Sequence, residues 1–223
     1  MPLVATHYIF LVDARPRYIA VEGPMGVGKT ALARALTERL AARAVLEPGG
    51  NPFHAGLTGA EPGSAFQAQL YLLLSRYQRK DEFHQEDLFA RGGVVSDFLF
   101  ACDRIIAQAN LSRDELMLYD KVYQLLGREL PRPELVVYLQ ARPEVLSQRL
   151  RKRAPGGVPG RDFLEKVTQA YAEFFFHYGD SPLLVVNTSE IDFVEHRPDL
   201  DELVAVIGRT RAGISHYNPL GSR

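Results

Sequence analysis

The chain has 223 residues, 46% of them hydrophobic, with a formal net charge of −1 and a single cysteine. That length suits one domain with a sizeable core, and the near-neutral balance excludes a binder that relies on a strongly basic surface, so no nucleic-acid or anionic-membrane partner is expected. Cys102 alone cannot close an internal disulfide, which sets a reducing, cytoplasmic location as the expectation. No apolar stretch approaches the length of a membrane span.

Residues 1–17 contain the apolar run Tyr8-Ile9-Phe10-Leu11-Val12, but no basic segment precedes it and Asp13 and Arg15 follow. A signal peptide is therefore not expected, and 1–17 stand as an N-terminal extension of unassigned role. Residues 18–22 read as a short buried strand, and 31–43 as an Ala- and Leu-rich helix. Further short, continuously apolar runs occur at 44–47, 93–97, 135–139 and 183–187, with helical periodicity between them at 64–88, 104–110, 143–153 and 162–178. Such alternation predicts an α/β fold, a parallel five-stranded sheet flanked by helices on both faces. Gly- and Pro-rich breaks fall at 47–63 and 154–160, the second being a candidate lid spanning about 149–161. Domain limits of 18–211 follow, leaving 212–223 as a tail read as an exposed end or an oligomer contact.

Gly23-Pro24-Met25-Gly26-Val27-Gly28-Lys29-Thr30 matches G-x-x-x-x-G-K-[ST], set between the predicted strand and helix that such a loop needs. Glycines let successive backbone N–H groups turn inward into an anion-binding concavity. The following helix adds its open N-terminal N–H groups and the positive end of its dipole. Lys29 supplies a mobile charge for the β/γ-phosphates and Thr30 a hydroxyl for Mg²⁺, so the fold is expected to be the three-layer P-loop kinase type and ATP a ligand. Glu22, Glu47 and Asp97 all fall at carboxyl ends of predicted strands, which places them on one rim beside the loop. No N-K-x-D segment of a GTPase is found.

Together with Glu47-Pro48, Gln69, Leu74-Ser75-Arg76, Val95-Ser96-Asp97 and Cys102-Asp103-Arg104, the loop resembles the deoxynucleoside kinase family, in particular its bacterial deoxyadenosine/deoxyguanosine kinase branch. Residues 91–100 and the late Phe174-Phe-Phe-His-Tyr178 with Pro182-Leu-Leu-Val-Val-Asn-Thr188 look like that branch too, and the likeness covers roughly residues 18–220. It implies transfer of the ATP γ-phosphoryl group to the 5′-hydroxyl of a deoxynucleoside, in nucleotide salvage, by a homodimer. Glu47 matches the carboxylate that accepts the hydroxyl proton, Gln69 and Arg76 the residues that read the base, and Asp103 the acid that orients that Arg. Asp97 matches an acid that would join Thr30 at Mg²⁺, while Arg149 and Arg153 resemble lid arginines that close on the phosphates. Phe53, Phe66 and Phe100 are candidate walls for the base. Each position also has a plainer reading: Glu47 as a solvated turn residue, Gln69 and Arg76 as a helix surface, Asp97 as a helix cap, and 149–153 as a basic helix end.

The chain departs from the family pattern in three places. Phe98 and Leu99 stand where the family carries Arg and Ser after its acid, so a cation must come from elsewhere, with the lid as one source. Near Thr58 the family has a Tyr at the sugar 3′-hydroxyl, and the lid lacks an obvious Glu for that hydroxyl. The alternatives are a nucleoside monophosphate kinase of the thymidylate type and a catalytically degenerate nucleotide-binding module.

Overall fold

In the computed structural model, residues 18–53, 64–84, 93–127, 130–153 and 158–219 are described. The elements run β1 (Tyr18–Glu22), α1 (Lys29–Leu40), β2 (Arg43–Val45), α2 (Ala65–Tyr77), α3 (Lys80–His84), β3 (Val94–Ser96) and a 3-10 turn at Phe100–Cys102. There follow α4 (Asp103–Asn110), α5 (Arg113–Leu126), β4 (Leu135–Gln140), α6 (Pro143–Arg153), α7 (Arg161–Phe176), β5 (Leu183–Asn187), α8 (Arg197–Ile207) and β6 (Ile214–Tyr217).

Period-two alternation in the strands builds two cores, one on each face of the sheet. Ile19 and Val21 of β1 point to the first core and Ala20 to the second. β4 divides likewise, with Leu135, Val137 and Leu139 against Val136 and Tyr138, and β5 sets Leu184 and Val186 against Leu183 and Val185. Burial on both faces is why these runs are apolar throughout rather than at every second position. The first core is closed by Leu32 and Leu36 of α1, Leu146 of α6, and Leu203 and Ile207 of α8. The second is aromatic: Tyr171 and Phe175 of α7 cover Tyr138, whose ring stacks 4.2 Å from that of Phe175. A separate cluster of Leu73, Ala107 and Tyr119 joins α2, α4 and α5.

The strand order is β2-β3-β1-β4-β5-β6, every neighbouring pair parallel. The sheet thus has six strands and not the expected five. The sixth, β6, lies beside β5 with Ile214 opposite Leu183. As an edge strand it alternates exposed and half-buried positions, so Ile-Ser-His-Tyr lacks the continuous apolar run that marks the inner strands. β1 sits between β3 and β4, where successive connections diverge to opposite sides, and a crevice opens there beyond the strand carboxyl ends. Among the described residues, no helix is long and apolar enough to cross a membrane. Residues 1–17, Thr58 and positions 154–157 of the expected lid lie outside the described residues.

Candidate active site

The loop between β1 and α1 is held by its close neighbours. Gly23 has φ 149°, and a Cβ there would stand 2.2 Å from the Leu139 carbonyl oxygen, so only glycine fits between the two strand ends. Gly28 has φ 105°, and a Cβ there would lie 2.7 Å from Cζ of Phe193, whose ring rests against the loop. Gly28 also forms the N-cap of α1 with no side-chain cap bond, which leaves the first backbone N–H groups of the helix open to an anion. Lys29 Nζ donates to the Gly23 carbonyl at 2.8 Å, folding across the mouth of the loop.

Glu22, 1% exposed, ties this loop to two other elements. Its carboxylate accepts from Gly23 N–H (2.9 Å), from Leu99 N–H (2.6 Å) and from the Tyr171 hydroxyl (3.1 Å). Burial pushes the Glu22 carboxyl above its ordinary value, against the pull of Lys29 and Arg76 and of the two backbone donors. The sequence placed Glu22 on the rim, but neither Leu99 nor Tyr171 carried any signal of this role.

Asp97, just past β3, joins the loop to Glu47. Its Oδ2 accepts from the Thr30 hydroxyl at 2.5 Å, and its Oδ1 accepts from the Glu47 backbone N–H at 2.6 Å. Thr30 and Asp97 therefore do meet, as an oxygen pair at the head of α1. Hard oxygen donors of this kind suit a small divalent cation that keeps waters and phosphate oxygens as its remaining ligands. No cluster of three or more His, Cys, Asp or Glu able to cage a metal occurs among the described residues.

Glu47 faces α2. Arg76 Nη2 donates to Glu47 Oε2 at 2.7 Å, and Arg76 Nη1 pairs with Asp103 Oδ1 at the start of α4. The Asn51 amide donates to the Ala68 carbonyl at 3.2 Å, which pins the loop after Glu47 to the same helix. Gln69 and Arg76, seven positions apart, are both buried, as helical spacing requires for one face. Burial disfavours the Arg76 charge, but the Glu47 carboxylate, then Glu22, overcomes it and holds the guanidinium above its ordinary value. Three buried polar atoms of this group, Gln69 Nε2, Arg76 Nε and Asp103 Oδ2, have no hydrogen-bond partner. Unsatisfied buried groups are costly, about 1–3 kcal/mol each, so these three atoms would gain from a polar partner.

The remaining candidates divide. Phe66 and Phe100 pack against the cluster of Leu73, Ala107 and Tyr119, with Phe100 stacked 5.1 Å from Tyr123, and Phe53 is exposed. Arg149 bonds the Thr188 hydroxyl (3.0 Å) and the carbonyls of Thr188 (2.7 Å) and Ile191 (2.9 Å), which fixes the loop after β5 beside the phosphate loop. Arg153, at the end of α6, is exposed. Phe98 is buried, with its ring 5.2 Å below the Arg76 guanidinium.

Comparison with known proteins identifies the family. The deoxynucleoside kinase family matches residues 19–210, and the chain belongs to that family. It is an enzyme, a kinase transferring a phosphoryl group to a hydroxyl, and its family uses ATP as donor. A deoxyguanosine kinase of Bacillus subtilis is 28% identical over 84% of this chain and 94% of its own length. A deoxyadenosine kinase of Dictyostelium discoideum is 31% identical over 78% of this chain and 73% of its own. Among solved structures, a deoxyadenosine kinase from M. mycoides with bound dCTP superposes with a TM-score of 0.71 at 18% identity, covering 85% of this chain and 98% of that one. At that identity the likeness establishes the shared fold.

Proposed function

We propose that the protein phosphorylates the 5′-hydroxyl of a purine deoxynucleoside, deoxyadenosine or deoxyguanosine, in nucleotide salvage. The observation that carries this reading is the set of buried atoms without partners opposite Glu47: donors Gln69 Nε2 and Arg76 Nε beside acceptor Asp103 Oδ2. A purine edge offers the complement, since guanine presents ring and carbonyl acceptors and adenine an acceptor next to an amino donor. The names of the relatives, deoxyguanosine and deoxyadenosine kinases, favour a purine over a pyrimidine. The acceptor side presents the carboxylates Glu47 and Asp103 with Arg76 bound between them, which suits a neutral nucleoside better than a nucleoside monophosphate.

In this reading residues 23–30 cradle the ATP phosphates, Lys29 neutralises charge that develops during transfer, and Glu47 accepts the 5′-hydroxyl proton. Thr30 and Asp97 hold Mg²⁺, which supplies further charge stabilisation at the phosphates when bound. Arg153 closes on the phosphates with the lid near 149–161, and Arg149 supports the donor side through the loop after β5. The kinase domain is taken as 18–217, since β6 within the expected tail pairs with β5 in its sheet. The enzyme acts in the cytoplasm as a homodimer. The exposed Met117, Leu118 and Leu125 of α5 are the surface a second copy would cover.

An assay of ATP with the four deoxynucleosides and their monophosphates, read by chromatography of the products, tests the proposal. Deoxyadenosine and deoxyguanosine should give 5′-monophosphates at the highest kcat/KM. Turnover confined to monophosphates, or no nucleoside-dependent ADP release, would refute it.

A further inference from the structure

Arg76 touches groups that belong to two different tasks. One edge of its guanidinium donates to Glu47, and the other pairs with Asp103 in the base-reading cluster. Its flat face lies over the Phe98 ring, 5.2 Å from the centroid. Phe98 thus supplies no charge where the family carries Arg, but its ring lies against the Arg76 guanidinium and helps to hold it in place. The other cations beside the phosphate loop are held elsewhere, Lys29 on the Gly23 carbonyl and Arg149 on Thr188 and Ile191. The Glu47 side chain is consequently gripped from α2, while its backbone N–H is fixed by Asp97.

We infer that Arg76 is the positioning residue for Glu47, so that reading the nucleobase and aiming the proton acceptor depend on one guanidinium. This rests on the reading of Glu47 as that acceptor. Arg76 Nε and Asp103 Oδ2 have no partner within the protein, so a base edge can engage them without displacing the bond to Glu47. A base that bonds this edge fully sets the guanidinium, and with it the carboxylate. One that bonds it poorly leaves Glu47 misaligned, and the loss falls on the chemical step as well as on binding. The cation missing after Asp97 is thus replaced, at Glu47, from the base-reading helix.

The test is the division of effect between kcat and KM. Arg76→Ala should lower kcat by roughly 10²-fold, the scale of a small misplacement of a reacting group, and also raise the deoxynucleoside KM. Arg76→Lys keeps a charge for Glu47 but loses the planar fork, so it should recover kcat by about tenfold over Arg76→Ala while KM stays high. Asp103→Asn keeps the Arg76–Glu47 bond but weakens the pair that orients the guanidinium, so it should raise KM and lower kcat by clearly less than Arg76→Ala does. ATP calorimetry and thermal unfolding on each variant establish that it is folded; if Arg76→Ala is not, the Arg76→Lys and Asp103→Asn pair decides alone. An Arg76→Ala enzyme changed only in KM overturns the inference, as does an Asp103→Asn enzyme with a kcat loss equal to that of the Arg76 variants. Glu47→Gln is measured alongside. Full turnover there removes the parent reading, whereas an inactive Glu47→Gln beside an Arg76→Ala altered in KM alone removes only this inference.

Discussion

Around the phosphate loop, polar groups close on one another: Lys29 on Gly23, Thr30 on Asp97, and Arg149 on Thr188 and Ile191. Across the rim, at Gln69, Arg76 and Asp103, buried polar atoms remain without partners. In the first half the side chains are paired and main-chain N–H groups at the head of α1 stay open to an anion. The second is made of side chains from two helices, α2 and α4, that keep unpartnered buried atoms. A phosphate can be gripped by any suitably turned main chain, whereas a base edge needs particular donors and acceptors at fixed positions. One family can thus keep its donor half while its acceptor half is altered, as Phe98 illustrates here.

The largest effect should come from the residue where the halves meet. Glu47→Gln should reduce kcat by roughly 10²–10⁴-fold, the usual worth of a positioned base, with ATP affinity by calorimetry unchanged. A matching loss of ATP affinity would break the division into halves. Next is the donor half itself. Gly23→Ala forces a side chain into a positive-φ position and against the Leu139 carbonyl, so it should cost at least about 1–3 kcal/mol of stability. Thermal unfolding with and without ATP should show both a lower Tm and a smaller shift by the nucleotide. A variant that binds ATP as tightly as the parent would mean that the loop can reshape.

The smallest effect lies far from either half, at the start of α5. The Ser112 hydroxyl and the Glu115 carboxylate form a capping box, and Ser112→Ala should cost about 1 kcal/mol in chemical denaturation at neutral pH. The Ser112 hydroxyl, and then its backbone N–H, holds the Glu115 carboxyl below its ordinary value. Stability from that interaction is therefore present above the unfolded value of about 4.3 and lost as pH falls through the folded one. The gap between parent and variant should narrow on acidification; a gap that widens would contradict the capping geometry.

The inner strands and the phosphate loop were legible because their signals are local: a continuous apolar run, or fixed residues within eight positions. β6 was not, since an edge strand half-open to solvent carries no such run. Helices α5 and α8 also went unread by apolar spacing, although Ser112-x-x-Glu115 and Pro198 in the first turn are start signals that a search for caps would find. Within the site, Thr30 and Asp97 meet in a hydrogen bond at the strand-end rim where their positions in the chain placed them. The contact of Arg76 with Glu47 does not follow from either residue's surroundings in the chain, because 29 positions separate them and the sheet topology brings them together. Arg149 shows the converse, a basic helix residue whose partners are the Thr188 hydroxyl and two carbonyls of the loop after β5, which no side-chain pattern encodes.

Asp97 has a wider consequence. With one oxygen it holds the hydroxyl at the head of α1, and with the other the main chain of Glu47, so a single short side chain spans donor and acceptor. On the proposed roles of Thr30 and Glu47 it would act as a fixed gauge, keeping the gap that a travelling phosphoryl group must cross independent of the size of the incoming nucleoside. Variation in the acceptor has to be absorbed at its far end, where the pocket is made of movable side chains, and the reacting end stays in register.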